Sequence, residues 1–211
     1  MFTKYTFKSR VMIIENKGEY NVSGLLEQKQ SIKLLDFKNI SEIKNLNLLK
    51  DFKLLSELRL STCFIENNTV DLSETSINTL TISNCYFNLN DVILPPGLKH
   101  LIIKLTTIND FKIYESLKNL IKLEYDLCDF KTFFSIEEFN TLCSLEMFSI
   151  INCNGLSDID SLFRKNRPLK IFIKNTDLKF SIKNIHSSVD LELESLKTIK
   201  LMGSGLIITS K

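Results

Sequence analysis

A five-point pattern of apolar residues recurs along the chain and constrains its fold more than any other feature. In the stretch LSELRLSTCFI, residues 55–65, apolar side chains occupy the first, fourth, sixth and eleventh positions, and Cys63 occupies the ninth. The same spacing returns 22 residues later in INTLTISNCYF, residues 77–87, with Cys85 at the ninth position. A period between about 20 and 50 residues is typical of stacked repeat units. The pattern therefore predicts an array of units.

Further copies follow at steps of 21, 22, 25, 23 and 28 residues, counted between ninth positions. Their ninth positions hold Thr106, Cys128, Cys153, Thr176 and Ser204. A poorer first copy holds Ile32, Leu35, Phe37 and Ile40 at its apolar positions. LELESL, residues 191–196, is interpreted as a degenerate extra strand before the last copy. Where Gly155 takes the eleventh position, we expect Leu156 to take over the packing role.

The template L-x-x-L-x-L-x-x-C/N/T-x-L resembles that of the leucine-rich-repeat family, and the resemblance covers roughly residues 30–207. It implies an α/β fold, a leucine-rich-repeat solenoid with a concave parallel β-sheet and a mixed helical and extended convex side. Alternate strand residues, such as Leu58 and Leu60, would point inward, and stacked units would bury these rows together. We expect about eight units in residues 31–211.

The segments that return between strands are expected to differ from one another. Helices are predicted where a capping residue precedes a suitable run or where helix formers dominate: SIEEFNTLCS from Ser135, the segments after Asn109 and Ser157, and residues 42–55. Residues 66–76 are too polar and β-branched for a helix, and residues 88–101 contain Pro95, Pro96 and Gly97, which exclude one. The latter segment also resembles the LPPGL-containing repeats of certain bacterial effectors.

Residues 1–30 lack the template, and we interpret them as the N-terminal cap that such an array requires. Within them, residues 11–22 contain two β-prone runs around Asn16, Lys17 and Gly18. Glycine is favoured in the tight turns of hairpins. The cap is therefore predicted to be a β-hairpin that turns at these three residues.

Four of the five cysteines occupy the ninth position of the template, which favours a structural role. A catalytic thiol would not recur once per unit and be replaced by threonine. In the family this position forms an inner ladder that bonds the backbone of the turn, so the resemblance implies that role here. A disulfide between neighbouring units, such as Cys63 with Cys85, is the alternative, because adjacent strands lie about 4.8 Å apart. The fifth, Cys143, is expected to pack on a convex helix.

Charge and composition restrict the class of partner. The 211 residues include 27 basic and 25 acidic side chains, a net charge of +2, which is too balanced to favour nucleic acid or an anionic membrane. The longest apolar runs are far shorter than the roughly 20 residues of a membrane span. The start, MFTKYTFKSR, lacks the apolar core of a secretory signal. We therefore expect a cytoplasmic protein with neither a nucleic-acid nor a membrane partner.

No motif in the sequence indicates catalysis. Nucleophile-elbow, zinc-protease, phosphate-loop and dinucleotide motifs are absent, and so are the C-x-x-C pairs of zinc sites. Glu124 with Asp126 can be imagined as an acid and base couple, but charges on a strand surface explain them equally. His100 falls on the concave face and is either a recognition residue or simply solvated. We expect no catalytic residue, metal or cofactor.

The side chains between the inward leucines project onto the concave face, and in the later units several are apolar with charged neighbours. Such clusters usually mark a protein interface. The candidate contacts are Arg59, Ile102, Leu105, Glu124, Leu127, Met147, Ile151 and Phe172. By analogy with the family, the predicted function is protein–protein interaction by a monomer or weak homodimer. Two alternatives remain: a pathogen or virus effector that recognises host substrates, for example for a ubiquitin ligase, and an extracellular adhesion protein.

Overall fold

A computed structural model describes residues 4–65, 70–85, 92–109, 117–131, 136–156, 168–176 and 189–195. The chain divides into two compact units, residues 1–101 and 102–211. The boundary falls inside one strand, so the strands are given separately for each unit.

Besides two 3₁₀ helices, Val22–Gln28 and Leu46–Asp51, the regular elements described in unit 1 are strands. In chain order they are β1 Lys4–Lys8, β2 Val11–Glu15, β3 Glu19–Asn21, β4 Leu34–Lys38, β5 Glu42–Lys44, β6 Glu57–Ser61, β7 Val70–Asp71, β8 Thr79–Ser83, β9 Val92–Ile93 and the start of β10, His100–Lys104. The long strands lie in the order β1-β2-β4-β6-β8-β10. All described pairs after the first are parallel, with Leu35, Leu58 and Leu80 in one row.

Unit 2 continues the same pattern from the end of β10. Its elements are β11 Thr107–Ile108, β12 Lys122–Asp126, β13 Asp129–Phe130, the helix α1 Ile136–Thr141, β14 Met147–Ile151, β15 Leu169–Lys174 and β16 Val189–Glu194. The long strands lie in the order β10-β12-β14-β15-β16. Residues Leu123, Phe148, Ile171 and Leu191 form one row across four parallel strands.

The fourth and sixth template positions form the core. Leu58, Leu60, Leu123, Tyr125 and Phe148 are each at most 1% exposed. Full burial of one such side chain contributes about 1.5–3 kcal/mol relative to exposure. Because a single strand cannot enclose its own row, this stabilisation exists only when units stack. The predicted leucine-rich-repeat solenoid with a large parallel sheet is confirmed.

Short strands follow the long ones and form three parallel two-stranded sheets, β3 with β5, β7 with β9 and β11 with β13. The helix predicted at residues 42–55 is wrong. The structure has strand β5 there, followed by a 3₁₀ segment, Leu46–Asp51. The reason is lateral pairing: Ile43 pairs with Tyr20 on one side and bridges Ile65 on the other. Asn45, with φ 59°, then breaks the chain direction before the 3₁₀ turns.

The other return segments are described in part. Helix α1 lies within the segment for which the sequence predicts a helix from Ser135. The segments 66–76 and 88–101 contain the short strands β7 and β9, and no helix is found in their described residues. The helices predicted after Asn109 and Ser157 fall outside the described residues.

The N-terminal hairpin turns at a different place from the predicted one. β1 and β2 pair antiparallel, and the turn between them is Ser9 and Arg10, both with positive φ, as a two-residue type I′ connection requires. Asn16 and Gly18 lie after β2, where the Asn16 side chain accepts from the Gly18 N–H over 3.1 Å and donates to the Glu19 carbonyl over 3.0 Å. That turn separates strands that pair with β4 and β5 instead of with each other. A boundary between cap and array at residue 30 stays a prediction.

The last described strand changes the predicted spacing. β16 aligns Leu191 with Ile171 and Leu193 with Ile173, a step of 20 residues. The segment interpreted as a degenerate extra strand is therefore the inward row of a unit. The copy predicted to end at Ser204 falls outside the described residues.

Candidate functional site

The ninth template position forms a hydrogen-bonded ladder on the inner side of the strand ends. The Cys63 thiol donates to the carbonyl of Ser61 over 3.2 Å, and Thr106 and Thr176 donate likewise to the carbonyls two residues before them, over 2.9 and 2.8 Å. The Cys128 N–H in turn donates to the Cys153 sulfur over 3.4 Å. Thiol and hydroxyl thus serve the same backbone groups, which confirms the structural role predicted for these cysteines.

The ladder makes two of the thiols poor acids. The hydrogen bond with Cys63 and burial raise the pKa of Cys85 above its ordinary value, because a second thiolate would lie beside the first in a buried place. The hydrogen bond with Cys128 and burial raise the pKa of Cys153 in the same way. Since only thiolates act as nucleophiles or zinc ligands, neither residue is suited to that chemistry.

The eighth template position, immediately before the ladder, has left-handed backbone in every unit described. Following β4, β6, β8, β10, β12, β14, β15 and β16, the residues with φ between 48° and 55° are Asn39, Thr62, Asn84, Leu105, Leu127, Asn152, Asn175 and Ser195. Six of their N–H groups have a described partner, the carbonyl of the last residue of the next long strand, over 2.9–3.1 Å. Asparagine tolerates this conformation, whereas larger residues adopt it at a cost.

Leucine occupies this unfavourable position twice, in neighbouring strands of unit 2. Leu105 donates its N–H to Asp126, and Leu127 donates to Ile151. Both leucine side chains are 50% exposed, and Ile151 is partly exposed beside them. We name Leu105, Leu127 and Ile151 the leucine strip. Its members are three of the eight residues that the sequence predicts as contacts.

The other apolar contacts predicted in unit 2 lie on the same sheet face but apart from one another. Ile102 and Phe172 occupy the fifth template position of their units, and Glu124 and Ser149 fill that position in the two units between them. Met147, 36% exposed, has Lys122 and Lys170 beside it in neighbouring strands. Along the row of fifth positions Glu124 and Ser149 therefore separate the two apolar side chains, whereas Leu105 and Leu127 occupy the same position in neighbouring strands.

The charges next to the leucine strip neutralise one another. Lys104 lies 3.1 Å from Asp126 and 3.7 Å from Glu124, and Lys122 lies 2.8 Å from Glu124. The side chains of the two carboxylates are only 14% and 20% exposed. Because both are held by lysines, Glu124 and Asp126 form a salt-bridge network and not an acid and base couple.

Arg59 belongs to unit 1. Its guanidinium binds Glu57 at 2.6 Å. In the next strand, level with Arg59, Asp36 is 4% exposed. Its Oδ2 lies 3.2 Å from Lys38, while its Oδ1 has no hydrogen-bond partner among the described residues.

His100, also in unit 1, lies 3.4 Å from the Thr79 hydroxyl, and both are partly buried.

Two features of the face escape the sequence reasoning. Asp36 is buried although it is level with the outward-facing Arg59 of the neighbouring strand. Nothing in its neighbours along the chain indicates this burial. The left-handed position was detectable, since asparagine recurs there at residues 39, 84, 152 and 175, and asparagine is the residue most often found in this conformation after glycine. That recurrence would have marked the two leucines as exceptions.

Within the described part of the chain, no group of three or more His, Cys, Asp or Glu side chains is arranged to hold a metal ion. No helix described here is long and apolar enough to cross a lipid bilayer.

The repeated inward rows, the parallel sheet and the ladder together define the fold of the leucine-rich-repeat proteins. The chain is similar in structure to an internalin C2 from Listeria monocytogenes, with a TM-score of 0.59 and 18% sequence identity over 88% of this chain and 80% of that one. It is also similar to the internalin InlF of the same organism, with a TM-score of 0.52 and 18% identity over 88% of this chain and 52% of that one. No protein-family model and no curated protein sequence matches the chain.

Proposed function

We propose that the chain is a non-enzymatic binding module and that another protein docks on the exposed sheet face of unit 2, with the leucine strip at the centre of the contact. The observation that carries this proposal is the pair Leu105 and Leu127, half exposed and in left-handed backbone. Asparagine, threonine or serine holds the position in the six other units described.

The backbone gains nothing from leucine at these two positions. The ladder bonds use N–H groups that any residue except proline supplies, and a left-handed non-glycine residue costs on the order of 1 kcal/mol or more. Leaving half of each side chain in water also forgoes the stabilisation that its burial would give, about 25 cal/mol per Å². Features that oppose local stability without a gain in packing are expected at functional sites.

The surroundings of the strip suit a protein interface. A typical interface has an apolar centre that excludes water and a polar rim that aligns the partner. Here the rim consists of the salt bridges of Lys104 and Lys122 and of a further pair, Lys174 with Glu194 at 2.7 Å. Since these charges are paired already, the apolar centre supplies most of the affinity and the rim supplies selectivity.

Site-specific photo-crosslinking tests this proposal. A photoreactive phenylalanine analogue replaces Leu127 in one variant and the exposed Glu137 of α1 in a control, and both are irradiated in extract of the source cells. We expect a discrete protein adduct from position 127 and none from position 137. Equal adduct patterns from the two positions would place the contact elsewhere.

The same crosslinking in extract of host cells distinguishes the alternative function, recognition of host substrates for a ubiquitin ligase. In that case the complex would contain a ligase component in addition to the crosslinked partner, because the described chain offers no catalytic set of its own. We propose a cytoplasmic location in either case. The number of free thiols tests this location, because an extracellular adhesion protein would carry disulfides.

A further inference from the structure

The outermost strand of unit 1, β1, has one side open. It pairs with β2, and among the described residues no strand pairs with its other edge. All five of its residues are exposed, with Tyr5 at 56% and Phe7 at 50%. An open edge presents backbone N–H and C=O groups to any extended chain that fits.

The aromatic side chains of β1 lie on the core side of the sheet. Tyr5 stands opposite Ile14 and Phe7 opposite Met12, and residues directly opposite in an antiparallel pair share a face. Ile14 and Met12 are buried, at 0% and 6% exposure. Tyr5 also meets the ring of Tyr20 edge-on at 6.2 Å. β1 thus continues the apolar layer of the core by one strand and leaves half of its aromatic surface in water.

A terminal repeat usually closes the core with a polar outer surface. β1 does not close the core in this way, because about half of the Tyr5 and Phe7 side-chain surface is exposed to solvent. One further strand beside β1 would cover the exposed halves of both rings. The first requirement on an occupant is therefore apolar side chains at alternate positions, since alternation is what an added strand presents to one face.

The second requirement comes from charge. Lys4 and Lys8 lie on the opposite face of β1, and neither forms an ion pair with a described residue, in contrast to Lys104 and Lys122 of unit 2. Glu15 stands opposite Lys4 in β2, but it accepts a hydrogen bond from the Asn39 side chain over 3.3 Å. Unpaired lysines disfavour pairing of this edge with the β1 strand of a second copy of the chain. Antiparallel pairing centred on Thr6 would place Lys4 of one copy opposite Lys8 of the other. The same lysines favour carboxylates.

We propose that the open edge of β1 binds an extended segment of another protein in which acidic and apolar residues alternate. The segment adds a strand to the sheet, places its carboxylates beside Lys4 and Lys8, and lays its apolar side chains over Tyr5 and Phe7. Affinity comes from the main-chain hydrogen bonds and the buried rings, and selectivity comes from the charges. This surface lies in unit 1 and does not depend on the leucine strip.

Fluorescence anisotropy with designed peptides on the full chain tests the proposal. The probe is a labelled peptide with the sequence VDLELE, an alternating acidic and apolar strand that the chain itself contains at residues 189–194. A matched peptide carries lysine at each acidic position, and a third is N-methylated on alternate amides. We expect the acidic peptide to bind at least about tenfold more tightly than the basic one, and the methylated one not to bind, because it lacks donors for the edge.

Charge reversal supplies the control. The double variant Lys4→Gln/Lys8→Glu changes only exposed side chains and avoids a like-charge pair with Glu15, which stands opposite Lys4 in β2, so its circular dichroism should match that of the parent. We expect it to bind the basic peptide in preference to the acidic one. Unchanged preference, or equal binding of the methylated peptide, would overturn the proposal. So would concentration-dependent self-association that the double variant abolishes, because the occupant would then be a second copy of the chain.

Discussion

The backbone N–H of Leu127 donates to the carbonyl of Ile151 over 2.9 Å, and half of the Leu127 side chain is exposed to solvent. The main chain at this strand end is therefore fixed by a ladder bond that does not depend on the side chain. Leu105 repeats the arrangement with Asp126 in the next strand. What the two leucines supply is exposed apolar surface, on a framework that would be more stable without them.

Replacing both leucines should stabilise the protein. Asparagine accepts left-handed backbone more readily than leucine. We expect Leu105→Asn/Leu127→Asn to raise the free energy of unfolding by about 0.5–1 kcal/mol per site, measured by urea denaturation. The reverse change, Asn84→Leu, should lower it by a similar amount. A double variant less stable than the parent would show that the leucines have a packing role.

Gly155 has φ 78°, and a Cβ atom built on it would overlap the carbonyl oxygen of Phe130. Gly155→Ala therefore combines backbone strain with a clash against main chain that cannot move aside. We expect a loss of about 2–3 kcal/mol in the free energy of unfolding. Gly97→Ala is the matched control, because a Cβ there meets nothing within 4 Å, and its effect should stay within about 0.5 kcal/mol. Equal effects of the two substitutions would contradict the strand-end geometry.

The ladder thiols should make stability depend on alkaline pH. Cys85 and Cys153 have pKa values raised in the folded state above the ordinary 9.0. Their hydrogen-bond partners Cys63 and Cys128 have pKa values lowered by the same bonds, so each folded pair loses one proton readily and keeps the second. Above about pH 9 the unfolded chain loses the protons of all four thiols, so stability that is present near this pH is lost as the pH rises further. We expect the melting temperature to fall as the pH rises from about 9, the ordinary value, to about 10.5.

Threonine variants test whether Cys85 and Cys153 cause this loss of stability at alkaline pH. Thr106 and Thr176 occupy the same ladder position and donate the same hydrogen bond. Cys85→Thr/Cys153→Thr should therefore fold, and its melting temperature should fall less steeply with alkaline pH than that of the parent. Burial likewise raises the pKa of Tyr20 above its ordinary 10.0, so part of the slope should persist. An unchanged slope would show that the thiols do not contribute.

Thiol reactivity should separate Cys143 from the other four cysteines. Cys143 is exposed and lies beyond the end of α1, so the helix packing expected for it from the sequence is wrong. Cys63, Cys128 and Cys153 are buried, and Cys85 is partly buried. With a chromogenic disulfide reagent at neutral pH, we expect one fast thiol in the native protein and five after denaturation without reductant. Cys143→Ser should remove the fast reaction. Fewer than five thiols after denaturation would reveal native disulfides and contradict the cytoplasmic proposal.

The sequence was sufficient for the fold because each unit repeats the same buried positions. Leu58, Leu80 and Leu123 each lie four places into the template, and the structure buries all three completely. It was insufficient where lateral pairing overrides local preference. Residues 42–44 lie in a helix-favouring run, but Tyr20 and Ile65 on either side draw Ile43 into a strand.

The candidate site was predictable residue by residue but not as an arrangement. The template phase predicts that Ile102 and Phe172 face outward, because alternation in a strand settles the face. Which of them adjoin depends on the register between units, and that register places Glu124 and Ser149 between Ile102 and Phe172. Exposure at Leu127 depends further on φ at the strand end, which apolar periodicity does not encode.

A comparison of partner capture by two variants decides whether the leucine strip binds the partner. Leu105→Asn/Leu127→Asn is compared with Thr62→Asn, which introduces asparagine at the equivalent position of unit 1, where no apolar side chain is lost. Tagged proteins are incubated with extract of the source cells, and bound proteins are quantified by mass spectrometry. We predict that the double variant loses at least about tenfold of the partner that the parent recovers, while its melting temperature rises and Thr62→Asn retains the partner in full. Recovery of the same partner at the parental level by the folded double variant would contradict the proposal.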